Sequence, residues 1–265
     1  MFKINKNILI VSAVVIVLAI IIAVNFVLKS DISVPTNNTN SADNSQNIPD
    51  IPGENSNSSS NISGQETPTR EVPTYSGRPI NEVFFGTGFS APQNIIAKKT
   101  EDLNDLKDAL EKDQFNFNDW IAVGVTKKFF NDYEGARDAW EYVIVLYPND
   151  ALAFENLGNL YALYLHDNSK AEYNYKKAIE KNSLEPSFYI ALSDFYRNFL
   201  NNNSKAIDTI LSGLEKIKDA NLFLSIAGLY RDIGDKPNAI KYYEEVLKIS
   251  PNHSGIQEEI NRLSN

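Results

Sequence analysis

Cysteine is absent from the 265 residues, histidine occurs twice and methionine once. The chain therefore has no disulfide, thiolate metal site, cysteine nucleophile or lipid-modified cysteine anchor. The histidines, His166 and His253, stand at no recognisable spacing from a carboxylate or nucleophile and read as solvent-facing loop residues. Positive charge is also scarce: 25 Lys and Arg face 34 Asp and Glu, a net charge of -9. All of that deficit lies beyond residue 99, where 18 basic residues meet 27 acidic ones; the first 99 residues hold 7 of each. A phosphate backbone needs a basic face, so nucleic acid is not an expected partner.

Motifs for chemistry are equally thin. Gly86-Thr87-Gly88 lacks the later glycine and the Lys-Ser/Thr pair of a phosphate cradle and reads as a turn. The adjacent pairs Glu244/Glu245 and Glu258/Glu259 point roughly 100° apart on a helix, which makes them solvated faces, not paired acids. We therefore expect no enzyme activity, no cofactor and no metal.

One long apolar run is present. Residues 8–28, ILIVSAVVIVLAIIIAVNFVL, contain only Ser12 and Asn25 as polar interruptions. At about 1.5 Å per residue such a helix spans roughly 30 Å, the thickness of a bilayer's hydrocarbon core. A cleaved signal peptide has a shorter apolar region ending at a small-x-small site, and Val27-Leu28-Lys29-Ser30-Asp31 offers none. An uncleaved signal anchor is the expectation, with secretion after cleavage as the alternative. Lys3, Lys6 and the amino terminus outweigh Lys29 beside Asp31, which places residues 1–7 in the cytoplasm and the folded part outside. Residues 31–69 hold 8 Asn, 8 Ser, 4 Thr, 4 Pro and no aromatic. Such a stretch buries too little to offset chain entropy, so 29–79 is expected to be a disordered linker with an r.m.s. span of roughly 40 Å. Residues 80–99, with Phe84, Phe85, Phe89, Ile95 and Ile96, are too apolar for a free tail. This segment is expected to dock on the folded domain, with Pro92 breaking any long helix.

Beyond residue 100 a pattern recurs. Trp120, Phe154, Tyr189 and Phe223 are spaced 34, 35 and 34 residues apart. Each is followed at +3 and +4 by a large and then a small residue: Val123/Gly124, Leu157/Gly158, Leu192/Ser193 and Ile226/Ala227. Tyr161, Tyr196 and Tyr230 stand at +7, where the first copy has Lys127. Farther on come alanines (Ala136, Ala171, Ala206, Ala239), then Trp140, Tyr175, Ile210 and Tyr243; Pro148 and Pro251 close the first and last copies. Residues at +0, +3 and +7 share one helix face, the small residue admits a neighbouring helix, and proline ends the second helix. No single copy can bury its apolar face, so the copies must stack around a shared core.

These residues resemble the tetratricopeptide repeat, W-x2-L-G-x2-Y…A-x3-F…P, over residues 117–253. Departures are Lys127, Ser183 in place of the second proline, and Ile210, Gly213 and Lys218 in the third copy. The resemblance implies an all-α, tetratricopeptide-type solenoid with four helix-turn-helix repeats at 117–150, 151–185, 186–219 and 220–253. Residues 100–116 are expected to be an N-terminal cap helix with Thr100 as N-cap. Residues 254–265 are expected to be a C-terminal cap helix opened by a Ser254/Gln257 capping box.

In such arrays the first helices line a concave groove, which implies protein partners. The positions outside the packing set are Ile121, Val125, Lys128 and Phe129; Glu155 and Asn159; Ile190, Asp194, Arg197 and Asn198; and Leu224, Arg231 and Asp232. An extended peptide or partner helix would meet Asn159 and Asn198 with its amides and Arg197 or Arg231 with a carboxylate. Family members that grip chaperone tails carry Lys and Asn where this chain has Ile121 and Val125, which argues against that subclass. The expected function is a membrane-tethered scaffold similar to single-pass tetratricopeptide proteins of bacterial envelopes. The alternative is a chaperone-like accessory that holds unfolded clients in secretion or envelope assembly.

Overall fold

A computed structural model describes residues 72–265 of the chain. The membrane anchor at 8–28 and most of the linker lie outside the described residues. Within them no helix is long and apolar enough to cross a membrane.

Ten helices follow one another among the described residues: α1 (Gln93–Lys112), α2 (Phe117–Phe129), α3 (Tyr133–Leu146), α4 (Leu152–Leu163), α5 (Asn168–Lys181), α6 (Pro186–Asn198), α7 (Asn203–Lys216), α8 (Ala220–Asp232), α9 (Lys236–Ile249) and α10 (Ser254–Ser264). The pairs α2/α3, α4/α5, α6/α7 and α8/α9 are antiparallel-type hairpins, one per sequence copy. Each hairpin turn uses the same local chemistry. A residue in the left-handed region (Asn131 φ 58°, His166 φ 53°, Asn201 φ 49°, Gly234 φ 83°) reverses the chain. The next residue, Asp132, Asp167, Asn202 or Asp235, then caps the second helix by accepting a backbone N–H three residues on. His166 is thus an exposed turn residue, and Pro186 and Pro237 sit in the first turns of α6 and α9.

The four leading aromatics occupy equivalent places, each buried in the first half of its hairpin's first helix. The alanines of the second helices are fully buried. Small and large residues interlock between the two helices of a hairpin. A Cβ placed on Gly124 would run into the Trp140 indole, and one on Gly158 would come within 2.7 Å of the Tyr175 ring. Trp140 also donates from Nε1 to the Ile121 carbonyl at 3.2 Å. The third copy reaches the same result by other means. Ser193 Oγ donates to the Ala206 carbonyl at 3.0 Å, Ile210 fills the aromatic's place, and Gly213 leaves room for the Tyr189 ring.

Both ends differ from the sequence reading. The N-terminal helix begins at Gln93, not after Thr100, because the Pro92 carbonyl already accepts from the Ile95 and Ile96 amides. Thr100 is an interior residue whose hydroxyl donates to the Ile96 carbonyl at 2.9 Å. At the C-terminus Ser254 is the first helical residue and His253 the cap, so the Ser254/Gln257 box does not form. Gln257 donates to Asn261 instead, while Ile256, Ile260 and Leu263 are buried against the last repeat. The last residues assigned to the linker also belong to the fold: from Tyr75 onward the chain lies against α2 and α3.

Two glycines separate packing from propensity. Gly124→Ala forces the indole of Trp140 to move and should cost about 1–3 kcal/mol. At Gly228 an added methyl would meet nothing within 4 Å, so Gly228→Ala should gain about 1 kcal/mol through helix propensity alone. Urea unfolding of the two variants should shift in opposite directions.

Candidate functional site

The first helices of successive repeats stand side by side, α4 against α6 and α6 against α8. Some of the sequence-selected residues line two open clefts. Ile121 and Val125 line the first, between α1 and α2, with Leu106 and Ala109 as floor and Lys99, Asp102, Asp105 and Asp119 around it. Asn159, Ile190, Asp194 and Asn198 meet in the second, a cleft of about 420 Å3 between α4 and α6 that also includes Leu163, Tyr175 and Phe199.

The second cleft has a connected polar floor. Tyr175 donates to Asn159 Oδ1 at 2.8 Å, and Asn159 Nδ2 in turn donates to Glu155 Oε1 at a long 3.4 Å. Burial pushes the Glu155 carboxyl above the usual carboxylate range, only partly offset by Asn159 and by the Lys128 charge. Asp194 is raised for the same reason, with Arg197 opposing it from 3.4 Å. Tyr175 is pushed well above the ordinary phenol range by burial, then by the charges of Glu155 and Asp194. Lys128 is lowered by burial; its ammonium lies 5.8 Å from the Trp140 ring centre. The charges of Glu155 and Asp194 therefore both act on one tyrosine hydroxyl, which lines the open cleft.

The remaining residues are engaged by their own chain. Arg197 pairs with Asp194 and with Asp232 at 3.3 Å, and its Nε donates to Asn198. Arg231 pairs with Asp232 at 2.7 Å and Glu259 at 3.7 Å. Both arginines are half-exposed and shared with acids on α6, α8 and α10, so an incoming carboxylate would compete with those partners. Phe129 stacks edge-on with Phe89 at 5.6 Å and Phe130 at 5.1 Å, so it belongs to an aromatic cluster rather than to either cleft. Leu224 is 39% exposed on α8. Sequence reasoning placed Tyr175 only in the core; its hydroxyl reaches the cleft because the Gly158 gap lets the ring lie flush against α4. Among the described residues no group of three or more His, Cys, Asp or Glu could hold a metal ion.

No protein-family model matches the chain. A stretch of 86 residues, 32% of the chain, is 30% identical to Superkiller complex protein 3 of Homo sapiens and spans about 6% of that relative's length. Among solved structures, MamA is 20% identical over 63% of this chain and 99% of its own, with a TM-score of 0.47. YrrB, described as a TPR protein with an unusual peptide-binding site, is 18% identical over 63% and 87%, with a TM-score of 0.44. PilF of Pseudomonas aeruginosa is 21% identical over 64% and 77%, also with 0.44. At that level of likeness the four-hairpin assignment rests on the register of the motif residues themselves.

The raised carboxylates fix a pH signature. A folded-state pKa above the unfolded one means that the native state holds the proton more tightly, so this contribution to stability grows as pH falls through that window. Glu155→Gln removes the cost of the buried charge. The variant should melt about 1–2 °C above the parent at neutral pH, and the difference should shrink as pH falls through the carboxylate range and vanish below the unfolded-state pKa. A constant difference across that range would rule out the buried charge as its source.

Proposed function

We propose that this protein is an interaction scaffold whose first helices α2, α4, α6 and α8 form a groove for an extended peptide or a partner helix. We further propose that residues 8–28 anchor it in a cell membrane, with the N-terminus cytoplasmic and the repeats outside. The observation that supports the binding reading is the α4–α6 cleft: apolar walls from Leu163, Ile190 and Phe199 around Asn159, Asp194 and Asn198. Apolar walls supply affinity, and a few convergent polar groups supply orientation. Asn159 and Asn198 would meet the amides of such a peptide, and Arg197 or Arg231 would trade an internal acid for its carboxylate. Nucleic acid, cofactor and catalysis have no part in the proposal; the acidic balance and the lack of a catalytic constellation in the sequence favour none of them.

A chaperone-like role is the second reading. It is favoured by apolar side chains left open on the first helices and their ends: Val125 at 48%, Leu163 at 47% and Leu224 at 39% exposure. Holding unfolded clients would use these positions without the polar floor.

Display selection of random peptides against the full chain separates the two. A scaffold groove should select a narrow peptide set whose affinity falls by about tenfold or more with Ile190→Asp or Asp194→Ala. A holdase should select no consensus, and its suppression of aggregation of a heat-unfolded reporter protein should fall with Val125→Ser and Leu224→Ser while ignoring Asp194→Ala. External protease on intact cells tests the topology: degradation of the repeat domain is expected, and its full protection would reverse the orientation.

A further inference from the structure

The first repeat departs from the others at Lys127, and the departure has a structural counterpart. In the second and third copies the equivalent tyrosine reaches back to a glutamate on the preceding repeat's second helix, Tyr161 to Glu141 at 2.9 Å and Tyr196 to Glu172 at 2.8 Å. The first copy has no preceding repeat. Its Lys127 ammonium, wholly buried, donates instead to the carbonyls of Pro79 at 2.8 Å and Glu82 at 2.5 Å. Asp132 Oδ2 lies 3.5 Å from the same ammonium, buried and without a hydrogen bond of its own. Arg78 closes on the other Asp132 oxygen at 2.5 Å and with its second amino group reaches Glu134. The Phe84 ring lies under both cations, 4.9 Å from the guanidinium and 5.4 Å from the ammonium. Backbone bonds complete the attachment: Arg78 N–H to Asp138 and Gly86 N–H to the Phe130 carbonyl, both at 3.0 Å.

We propose that residues 75–89 are a peptide ligand bound in cis by the first repeat, standing in there for a preceding repeat. The receptor is specific: a buried lysine that wants two carbonyls, a buried aspartate that wants a guanidinium, and the Trp120 ring, 4.7 Å from that of Tyr75. Arginine fits this receptor better than lysine, because Arg78 spans two carboxylates on one fork. The segment behaves as a ligand rather than as core, because it has no helix or strand of its own and is held at discrete side-chain and carbonyl contacts. Phe85 stays 57% exposed, and a cleft of about 760 Å3 remains between the segment and the corner of α1 and α2. A segment outside the helical ladders can open without the helices opening. Neither groove cleft has a lining residue earlier than Lys99, so the bound segment leaves both free.

Hydrogen exchange on the full-length chain, resolved at residues 75–89 and compared with a synthetic 72–92 peptide, tests this. The parent should protect the Arg78 and Gly86 amides by about tenfold or more over the peptide. Arg78→Ala should abolish that protection, Arg78→Lys should keep part of it, and Glu134→Gln, at an exposed partner, should weaken it without risk to the fold. Amides of α5 to α9 should not change in any variant. Exchange at the free-peptide rate in the parent overturns the proposal. So does Arg78→Ala loosening the whole array, which makes the segment core. Protection that rises with chain concentration also overturns it, because the occupant would then be a second copy.

Discussion

The array depends on one steric arrangement: a small residue on each first helix opposite a large one on the second. Gly124 beneath Trp140 and Gly158 beneath Tyr175 bring the helices of a hairpin to contact distance. Everything else follows from that closeness. It buries the leading aromatics between neighbours and lets successive hairpins share one core. Where the small residue carries a hydroxyl, as at Ser193, the fold satisfies it at once with the Ala206 carbonyl, since an unpaired hydroxyl there would cost more than the close approach gains.

Repetition also made the fold legible. The thirty-four-residue recurrence of Trp120, Phe154, Tyr189 and Phe223 shows in the amino-acid order because each copy solves the same packing problem with the same residue types. The turns carried a second periodic signal that reading for apolar positions passes over: a left-handed residue followed by Asp or Asn, four times. That signal also explains His166 without any chemistry. Boundaries were harder to read. Glu101, Asp102 and Asp105 look like an acidic first turn, yet α1 starts earlier, because Pro92 offers a carbonyl that begins the helix whatever side chains follow.

The groove was legible in part. Spacing alone selects which side chains point away from the packing face, and Asn159, Asp194 and Asn198 do meet in one cleft. Spacing does not reveal pairing. Arg197 and Arg231 find acids on adjacent helices, and Phe129 finds Phe89, because these partners lie 35, 28 and 40 residues away in sequence and are joined only by the fold. Lys127 is the sharpest case. As a letter in the motif it reads as an error, and only the carbonyls of Pro79 and Glu82 show that the substitution is matched by the segment that docks on the first repeat.

The short terminal helix has a consequence for assembly. Its inward side, Ile256, Ile260 and Leu263, is consumed by the last hairpin, while Gln257, Glu258, Asn261 and Arg262 are turned to solvent. A solenoid that ended on a bare hairpin would present a greasy edge matching the start of another copy, and head-to-tail growth into filaments would follow. Here the apolar edge of the last hairpin is covered by Ile256, Ile260 and Leu263, and the helix turns a polar side outward, so this face offers no greasy match for head-to-tail stacking.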